Sequence, residues 1–497
     1  MSGRNGEAFE ERESNTEKAS SSASEENVNA GTKRKKDEEA MENDFVFKRM
    51  TKDDASFSVS EDQCRGISRE NEDIQSTRSS LPRADTTIFA VHTDCWRVIF
   101  SYLDLRDQLQ LAVSNRYFKN VFTTLLYKRY RHITESVTNN IDETDLHNLL
   151  EIVGWFVISY ESSLDPQSND EQHLWLLRTY CPNLRYLKMT IRRPRWYDLQ
   201  QLKNLTSLHV YLNFASPEIY KNFVLGLMEL PGLKKLKLEA RDYIGNGLHV
   251  LENLEFLDIG SHSGFDANCL AECCIKMKQL RYLNIGKYID ELTMENFTVI
   301  VKNCLHLESL VLEVRLLEPT VAYEIVCQLP KLKHLQLWHS GSLRPSFIEG
   351  MINKTGALLE KLILEGYALE TEQLEHLCEI SSLRELSVGC EQLPLESLKK
   401  LKNLETLDIR MPDITNNQLL SLLTGCPLLS VLSVQFCRLI TSEFVSKATR
   451  LFIGRKIKIY FHESYVDWLE LPIASDNKFI QFERGVFSST ILINQDI

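Results

Sequence analysis

A six-residue pattern, Leu-x-x-Leu-x-apolar, recurs eleven times in this chain of 497 residues and constrains its fold more than any other feature. The copies begin at positions 184, 205, 233, 254, 280, 307, 332, 359, 383, 404 and 429, so neighbouring copies are 21 to 28 residues apart. One such hexamer means little because leucine is common, but eleven at this spacing indicate an array of stacked units. A single compact core does not serve a chain of this length, whereas a one-dimensional array does.

Amphipathic helical stretches separate the copies. In MENFTVIVKNC, for example, the apolar Phe297, Ile300 and Val301 share one helix face. Strand, turn, helix and return therefore repeat, and the length and pattern of the unit resemble the leucine-rich repeat. The resemblance implies an α/β fold, a curved leucine-rich-repeat solenoid with parallel strands on the concave side and helices on the convex side.

The last repeats also carry a cysteine variant of the unit. GCPLLSVLSVQFCRLIT resembles the Cys-Pro-x-Leu…Cys-x-x-Ile-Thr form that is common in F-box leucine-rich-repeat proteins, and the matching positions are Cys426, Cys437, Ile440 and Thr441. We expect such thiols to fill small buried spaces. The twelve cysteines include no Cys-x-x-Cys pair, so we expect no metal site and no other cofactor.

Residues 88–122 are dense in large apolar side chains at helical spacing. They predict three short helices, with Thr93 or Asp94 capping the first and Asp104 capping the second. Three short helices cannot enclose so much apolar surface by themselves, so some of it must pack on something else. The segment therefore either caps the solenoid or binds a partner.

The same segment resembles the F-box. The resemblance rests on Asp94, on Ile-Phe-x-Tyr-Leu-Asp-Leu at 99–105, on Asp-x-Leu-x-Leu-Ala at 107–112 and on Val-Ser-x-Arg-Tyr at 113–117. The family usually has Leu-Pro where this chain has Val91-His92. The resemblance implies a substrate receptor of a Skp/cullin/F-box ubiquitin ligase, with a Skp-type adaptor and a cullin as partners. We assign the adaptor contact to nine apolar residues, some of which will instead form the core of the segment itself. They are Val91, Trp96, Ile99, Phe100, Leu103, Leu105, Leu109, Leu111 and Tyr117.

Alternate positions of each repeat strand should face the open concave surface, because successive side chains of a strand point to opposite faces. Solvent-facing aromatic rings at these positions predict a binding surface for a protein substrate. The five rings are Tyr186, Tyr211, Phe256, Tyr282 and Trp338. The alternative is that aromatic residues simply suit strands and that some are covered by the C-terminal segment. The concave charges are of both signs, so they do not name the substrate.

Five segments follow from these patterns. They are a disordered tail at 1–85, F-box helices at 86–128, an irregular linker that can hold a first repeat at 129–180, the solenoid at 181–462, and a cap or tail at 463–497. The basic run at 33–36 is either a nuclear import signal or a solvated charge block.

Composition and motifs exclude several functions. A net charge of −12 lacks the positive field that nucleic acid requires, and no apolar run reaches the roughly 18 residues that cross a membrane. No apolar leader opens the sequence, so we expect a cytoplasmic and/or nuclear protein. No catalytic motif is present, and His209, His334 and His339 are expected to be solvated strand residues.

Two functions remain, a non-catalytic ligase adaptor and a leucine-rich-repeat scaffold with no link to ubiquitin. They differ in whether the apolar face around Trp96, Ile99 and Leu103 is exposed for a partner or packed on the first repeats.

Overall fold

The computed structural model describes residues 88, 91–164, 171–193, 196–214, 216–260, 264–286, 289–290, 292–315, 317–410, 413–451, 455–463, 466 and 479–485. The predicted tail at 1–85, with its basic run, lies outside these residues, as does most of the segment 463–497.

Seventeen strands are formed within the described residues. They are β1 (His132–Ile133), β2 (Ser159–Glu161), β3 (Tyr186–Ile191), β4 (Ser207–Leu212), β5 (Lys235–Ala240), β6 (Phe256–Asp258), β7 (Phe265–Asp266), β8 (Tyr282–Asn284), β9 (Ile289–Asp290), β10 (Ser309–Glu313), β11 (His334–His339), β12 (Lys361–Gly366), β13 (Glu385–Gly389), β14 (Thr406–Arg410), β15 (Val431–Gln435), β16 (Ile457–His462) and β17 (Ile480–Arg484). Fifteen of them form one sheet in chain order, and β7 pairs with β9 in a separate ribbon. Every strand pair in the large sheet is parallel.

The repeat pattern explains this register. The second leucine of each hexamer pairs with the second leucine of the next, as Leu187 does with Leu208 and Leu208 with Leu236. All three side chains are buried. Because a one-residue shift would turn every leucine to the other face of the sheet, this burial fixes the register. The eleven hexamers predicted from the sequence therefore each supply one strand of the sheet.

3₁₀ helices at Leu248–Val250 and Tyr323–Gln328 connect β5 to β6 and β10 to β11, and α-helices connect most of the other strands. Those described are α1 (Thr93–Tyr102), α2 (Leu105–Ser114), α3 (Arg116–Leu126), α4 (Glu135–Thr138), α5 (Glu143–Val153), α6 (Glu171–Tyr180), α7 (Trp196–Gln200), α8 (Pro217–Gly226), α9 (Ala267–Lys276), α10 (Met294–Asn303), α11 (Pro345–Ile352), α12 (Thr371–Leu377), α13 (Leu395–Leu398), α14 (Asn416–Gly425) and α15 (Ser442–Leu451). Helix α10 buries Phe297, Ile300 and Val301, as predicted. Strands inside and helices outside make the chain a curved leucine-rich-repeat solenoid.

The sheet also extends beyond the hexamers. Strands β1 and β2 precede the first copy, and β16 and β17 follow the last. These strands lack the Leu-x-x-Leu pattern, so they pair through backbone geometry and shorter apolar stretches. In β16, Ile457, Ile459 and Phe461 alternate as buried residues.

Helices α1, α2 and α3 form what we call the N-terminal helical unit. Asp104 caps α2 by accepting a hydrogen bond from the Asp107 amide at 2.8 Å, as predicted. The cap predicted for α1 is wrong. His92 takes that position, and its Nδ1 accepts from the Asp94 amide at 3.3 Å, because the helix begins at Thr93 itself.

Candidate functional site

Aromatic side chains form the centre of the N-terminal helical unit. The indole of Trp96 packs edge-on against Phe118 with 5.0 Å between ring centroids, and Phe100 packs likewise against Phe122 at 6.0 Å. The Trp96 Nε1 donates a hydrogen bond to the Tyr117 hydroxyl at 3.2 Å. Edge-to-face rings attract each other in addition to burying apolar area. The three helices therefore share a small core of their own.

The nine side chains predicted to contact an adaptor fall into three groups by exposure. Buried in the core of the unit are Trp96, Phe100 and Leu109. Half-buried are Val91, Leu103, Leu105, Leu111 and Tyr117. One of the nine, Ile99, is exposed. The three buried residues hold the helices together, so they are not available to a partner in this structure.

Helix α1 carries a second apolar stripe on its solvent side. Val98, Ile99 and Tyr102 are 55%, 38% and 85% exposed, and Cys95 is exposed one turn earlier. These positions have the spacing i, i+3, i+4 and i+7, so they share one helix face. We call Cys95, Val98, Ile99 and Tyr102 the α1 stripe. Val113 on α2 is also exposed.

Sequence reasoning missed Val98, Tyr102 and Val113. The segment CWRVIFSYL contains two overlapping stripes at helical spacing, one beginning at Cys95 and the other at Trp96. Periodicity shows that both are apolar, but it does not show which of them faces the core.

The N-terminal helical unit is joined firmly to the solenoid. Lys119 Nζ on α3 lies 2.7 Å from the Glu151 carboxylate on α5, and this hydrogen bond holds the pKa of Glu151 below its usual value. The Phe122 ring stacks on Tyr130, with 6.0 Å between centroids. One hydrophobic core runs from Trp96 into the repeats. Packing therefore fixes the position of the unit relative to the sheet.

The five predicted concave aromatics lie on adjacent or nearby strands, but they are not all exposed. Tyr186 and Tyr282 are only 7% and 4% exposed, so the expectation of solvent-facing rings is wrong for these two. Tyr282 stacks flat on Phe256, with 4.1 Å between centroids, because neighbouring strands bring paired side chains together. Burial raises the pKa of the Tyr186 and Tyr282 hydroxyls. Tyr211, Phe256 and Trp338 are half-buried.

Trp338 is held beside a fixed cation. The Arg315 guanidinium lies 5.7 Å from the centre of its ring. Both oxygens of Glu313 accept hydrogen bonds from this guanidinium, at 2.6 and 2.7 Å. A half-buried aromatic ring next to an arginine is a frequent anchor of protein interfaces. Trp338 and Arg315 therefore form a candidate contact point on the concave face.

Charges along the concave face are largely paired with one another. Glu239 lies 2.8 Å from His209 Nε2 and 3.4 Å from Lys237 Nζ, and the hydrogen bond from His209 lowers the pKa of this carboxyl to about 2. Lys361 pairs with Glu385 at 2.8 Å. Such pairing leaves no field of one sign, which agrees with the mixed charge read from the sequence.

Of the three histidines predicted to be solvated, His339 is buried, whereas His209 and His334 are half-buried. His339 is buried, and burial together with the positive charges of Arg410 and Arg315 lowers its pKa to about 4. His334 is half-buried, with its Nδ1 2.9 Å from the Ser309 hydroxyl. Strand ends carry these residues into the packing between repeats, which alternation alone does not reveal.

Most of the described cysteines are buried free thiols, including Cys426 and Cys437. Burial raises the pKa of Cys327, Cys378 and Cys390 to about 12, so these thiols stay protonated near neutral pH. Among the described residues, no group of three His, Cys, Asp or Glu side chains is placed to hold a metal ion. No helix in the described part of the chain is long and apolar enough to cross a membrane.

Three solved structures are similar to this chain at low sequence identity. No family model and no curated protein matches the chain. It is similar to the structure of an internalin from Listeria monocytogenes, with a TM-score of 0.38 and 18% identity over 63% of this chain and 83% of that one. It is similar to the Rad7 and Elc1 complex of yeast, with a TM-score of 0.40 and 16% identity over 78% of this chain and 96% of that one. It is also similar to a leucine-rich-repeat protein of Leptospira interrogans, with a TM-score of 0.35 and 14% identity over 70% of this chain and 94% of that one. Because these scores are below 0.5, the fold assignment rests on the sheet and helices described above.

Proposed function

We propose that this chain is the substrate-recognition subunit of a Skp/cullin/F-box ubiquitin ligase. The α1 stripe carries the proposal. Its apolar side chains are exposed on a helix whose other side already buries Trp96 and Phe100. A stripe of this kind suits the helix-in-groove mode of binding, in which a partner supplies the missing apolar surface. A helix that served only to cap the repeats would need no apolar residues on this outer face.

Each part of the chain then has one role. The N-terminal helical unit binds the Skp-type adaptor, which joins it to the cullin, through the α1 stripe and the half-buried side chains around it. The concave face binds a protein substrate, with the half-buried Tyr211, Phe256 and Trp338 as the predicted anchors that remain accessible. We propose no catalytic residue, cofactor, nucleic-acid contact or membrane contact, and we place the protein in the cytoplasm and/or the nucleus.

The mechanism is proximity. A substrate held on the concave face is kept near the ubiquitin-charged enzyme, so a bimolecular encounter becomes effectively intramolecular. The continuous core between the N-terminal helical unit and the repeats supports this role, since a stiff connection keeps the distance constant.

The second candidate is a leucine-rich-repeat scaffold with no link to ubiquitin. Val91-His92, in place of the Leu-Pro of the F-box family, favours it. The cap made by His92 shows that α1 begins without a proline, so this departure does not by itself remove the helix.

Co-purification with a Skp-type adaptor and a cullin tests the proposal. The test variant changes Val98, Ile99 and Tyr102 to Asp in the full chain. The matched control changes Leu358 and Leu428 to Asp, because both are exposed leucines remote from α1 in sequence. We expect the wild type and the control to recover both partners and the test variant to recover neither.

Thermal unfolding should be the same for all three proteins, since every changed side chain is exposed. Recovery of both partners by the test variant would show that the α1 stripe is not the contact. If the wild type recovers no adaptor, the scaffold becomes the better assignment.

A further inference from the structure

A row of side chains lies at the amino ends of the strands of the large sheet. Each member directly precedes a strand, and the amide of each later member donates a hydrogen bond to the carbonyl of the member before it. We call it the edge row, and from β1 to β14 it consists of Arg131, Ile158, Arg185, Thr206, Lys234, Glu255, Arg281, Glu308, Lys333, Glu360, Arg384 and Glu405. Neighbouring members are about 4.8 Å apart at the backbone, so their side chains can pair.

From Lys234 onwards the charges of the edge row alternate and the cations are paired. Each of these four cations has a side-chain nitrogen within 2.5 to 3.4 Å of a carboxylate oxygen from the next strand. The pairs are Lys234 with Glu255, Arg281 with Glu308, Lys333 with Glu360, and Arg384 with Glu405. Arg131 and Arg185 differ, because the next strands place the uncharged Ile158 and Thr206 beside them.

Two more cations directly precede this end of the edge row in sequence. We call Lys128, Arg129, Arg131 and Arg185 the basic patch. All four side chains are exposed, and none of them has an ion pair with another of the described residues. The Arg129 guanidinium lies 5.6 Å from the centre of the Tyr130 ring. Four unpaired cations in one place are unexpected in a chain with a net charge of −12.

Carboxylates on the neighbouring helices do not neutralise the basic patch. Glu135 on α4 lies 3.0 Å from the Lys188 ammonium, so it is engaged on the concave side of the sheet. Glu151 on α5 is held by Lys119, as described above. The positive charge of the patch is therefore available to an external group.

Exposed aromatic rings lie beside these cations. Trp155 is 65% exposed and Phe156 is 38% exposed. The Trp155 carbonyl accepts a hydrogen bond from the Asn183 side chain at 2.8 Å, two residues before Arg185. The Phe156 ring lies 5.0 Å from that of Tyr127, which directly precedes Lys128. These two contacts bring the aromatic pair next to both segments that carry the basic patch.

We propose that the basic patch and Trp155 bind an acidic peptide segment of a partner protein. Glutamate or aspartate side chains of the segment would pair with the patch, and an apolar side chain would pack on the indole. Arginine and tryptophan dominate many protein interfaces, and complementary charge selects the partner. The inference goes beyond the proposed ligase function and does not depend on it, since no residue of the α1 stripe takes part.

The short extent of the patch favours a peptide over a nucleic acid. Arg131 and Arg185 are two strands apart in the sheet, a distance of about 10 Å. Beyond Thr206 the edge row carries paired charges of both signs, so no positive track continues along it. A nucleic acid needs a longer groove of positive charge that follows its backbone.

Fluorescence anisotropy with the full chain tests the proposal. The probe is a labelled peptide, Glu-Glu-Phe-Glu-Glu, blocked at both ends, and the control peptide has Gln in place of each Glu. We expect the glutamate peptide to bind the wild type, and binding to weaken as salt rises from about 50 to about 500 mM. The glutamine peptide should bind at least about ten-fold more weakly, because exposed ion pairs supply most of the attraction.

The test variant combines Lys128→Gln, Arg131→Gln and Arg185→Gln and should bind the glutamate peptide at least about ten-fold more weakly. Its matched control combines Lys234→Gln, Arg281→Gln and Arg384→Gln, which removes the same charge from paired positions of the edge row and should keep the affinity. Trp155→Ala should weaken binding about five-fold without changing the salt dependence. All seven side chains are exposed, so thermal unfolding should report folded protein in each case.

Carbodiimide coupling then locates the peptide, since it joins a carboxylate to a lysine amine in contact with it. We expect Lys128 to be coupled more often than any other lysine of the described residues. No binding to the wild type, equal binding by the wild type and the test variant, or an equal loss in the matched control would overturn the inference. Tighter binding of a single-stranded oligothymidylate than of the peptide would overturn the choice of a protein partner.

Discussion

Trp96→Ala should unfold the N-terminal helical unit locally and leave the repeats intact. The indole is buried, packs on Phe118 at 5.0 Å and donates a hydrogen bond to Tyr117. Truncating a buried Trp costs about 3–5 kcal/mol through lost burial and the cavity that remains. The lost hydrogen bond adds about 1 kcal/mol. Tyr102→Ala is the matched control, because that ring is 85% exposed and should change the free energy of unfolding by less than about 0.5 kcal/mol.

Hydrogen exchange followed by mass spectrometry measures both variants. The lower end of this total, about 4 kcal/mol, is close to three powers of ten in the opening equilibrium. Amides of α1 to α3 should therefore exchange about a thousand-fold faster in Trp96→Ala, while those of α10 keep their rates. Exchange in α1 to α3 that stays within a factor of ten of the wild type would refute the assignment of Trp96 to the core. Equal effects of Trp96→Ala and Tyr102→Ala would refute the division of α1 into a buried and an exposed stripe.

Three further substitutions test the solenoid. Gly366→Ala should destabilise the solenoid by about 2 kcal/mol in chemical denaturation, because Gly366 has φ +118° and a Cβ there would overlap the His339 carbonyl oxygen. An unchanged denaturation midpoint would contradict this. Lys354→Met should lower the free energy of unfolding by about 2 kcal/mol in chemical denaturation, since the buried Lys354 ammonium donates hydrogen bonds to three backbone carbonyls. A variant as stable as the wild type would mean that these hydrogen bonds contribute little. Glu239 has a pKa of about 2 in place of 4.5, so its stabilisation is complete above pH 4.5 and is lost as the pH falls through 2. Glu239→Gln should lower the free energy of unfolding by up to about 3 kcal/mol at pH 7 and should make that free energy less dependent on pH in acid. If the free energy of unfolding of the variant falls in acid just as that of the wild type does, the role of the His209 contact is refuted.

The main elements of the fold were predictable because they depend on local pattern. The second leucine of the hexamer and the apolar residue two positions later set the buried face of a strand, and the distance to the next hexamer leaves room for one helix and two turns. Strands without the hexamer were harder to find. β1 has only two residues, and its pairing with β2 follows from its place at the start of the stack.

The candidate binding surfaces were predictable only in part. The apolar density of residues 88–122 was visible in the sequence, but Val98 and Tyr102 were missed and Trp96 and Phe100 were assigned to a contact that they cannot make while buried. The same holds for Tyr186 and Tyr282, which alternation places on the concave face and packing then shields. Alternation gives the side of a strand to which a residue points, whereas exposure depends on its neighbours from other repeats.

The sequence by itself determined that this chain is a leucine-rich-repeat solenoid with a separate apolar segment before it. Periodicity decides this, since a strict repeat can bury its leucines only by stacking one unit on the next. Only the tertiary structure decided which stripe of α1 faces solvent and which strand residues outside the main core, namely Tyr282, Val311 and Ile363, pack against one another. Those outcomes depend on contacts between residues from different helices and strands, and spacing along one element carries no information about them.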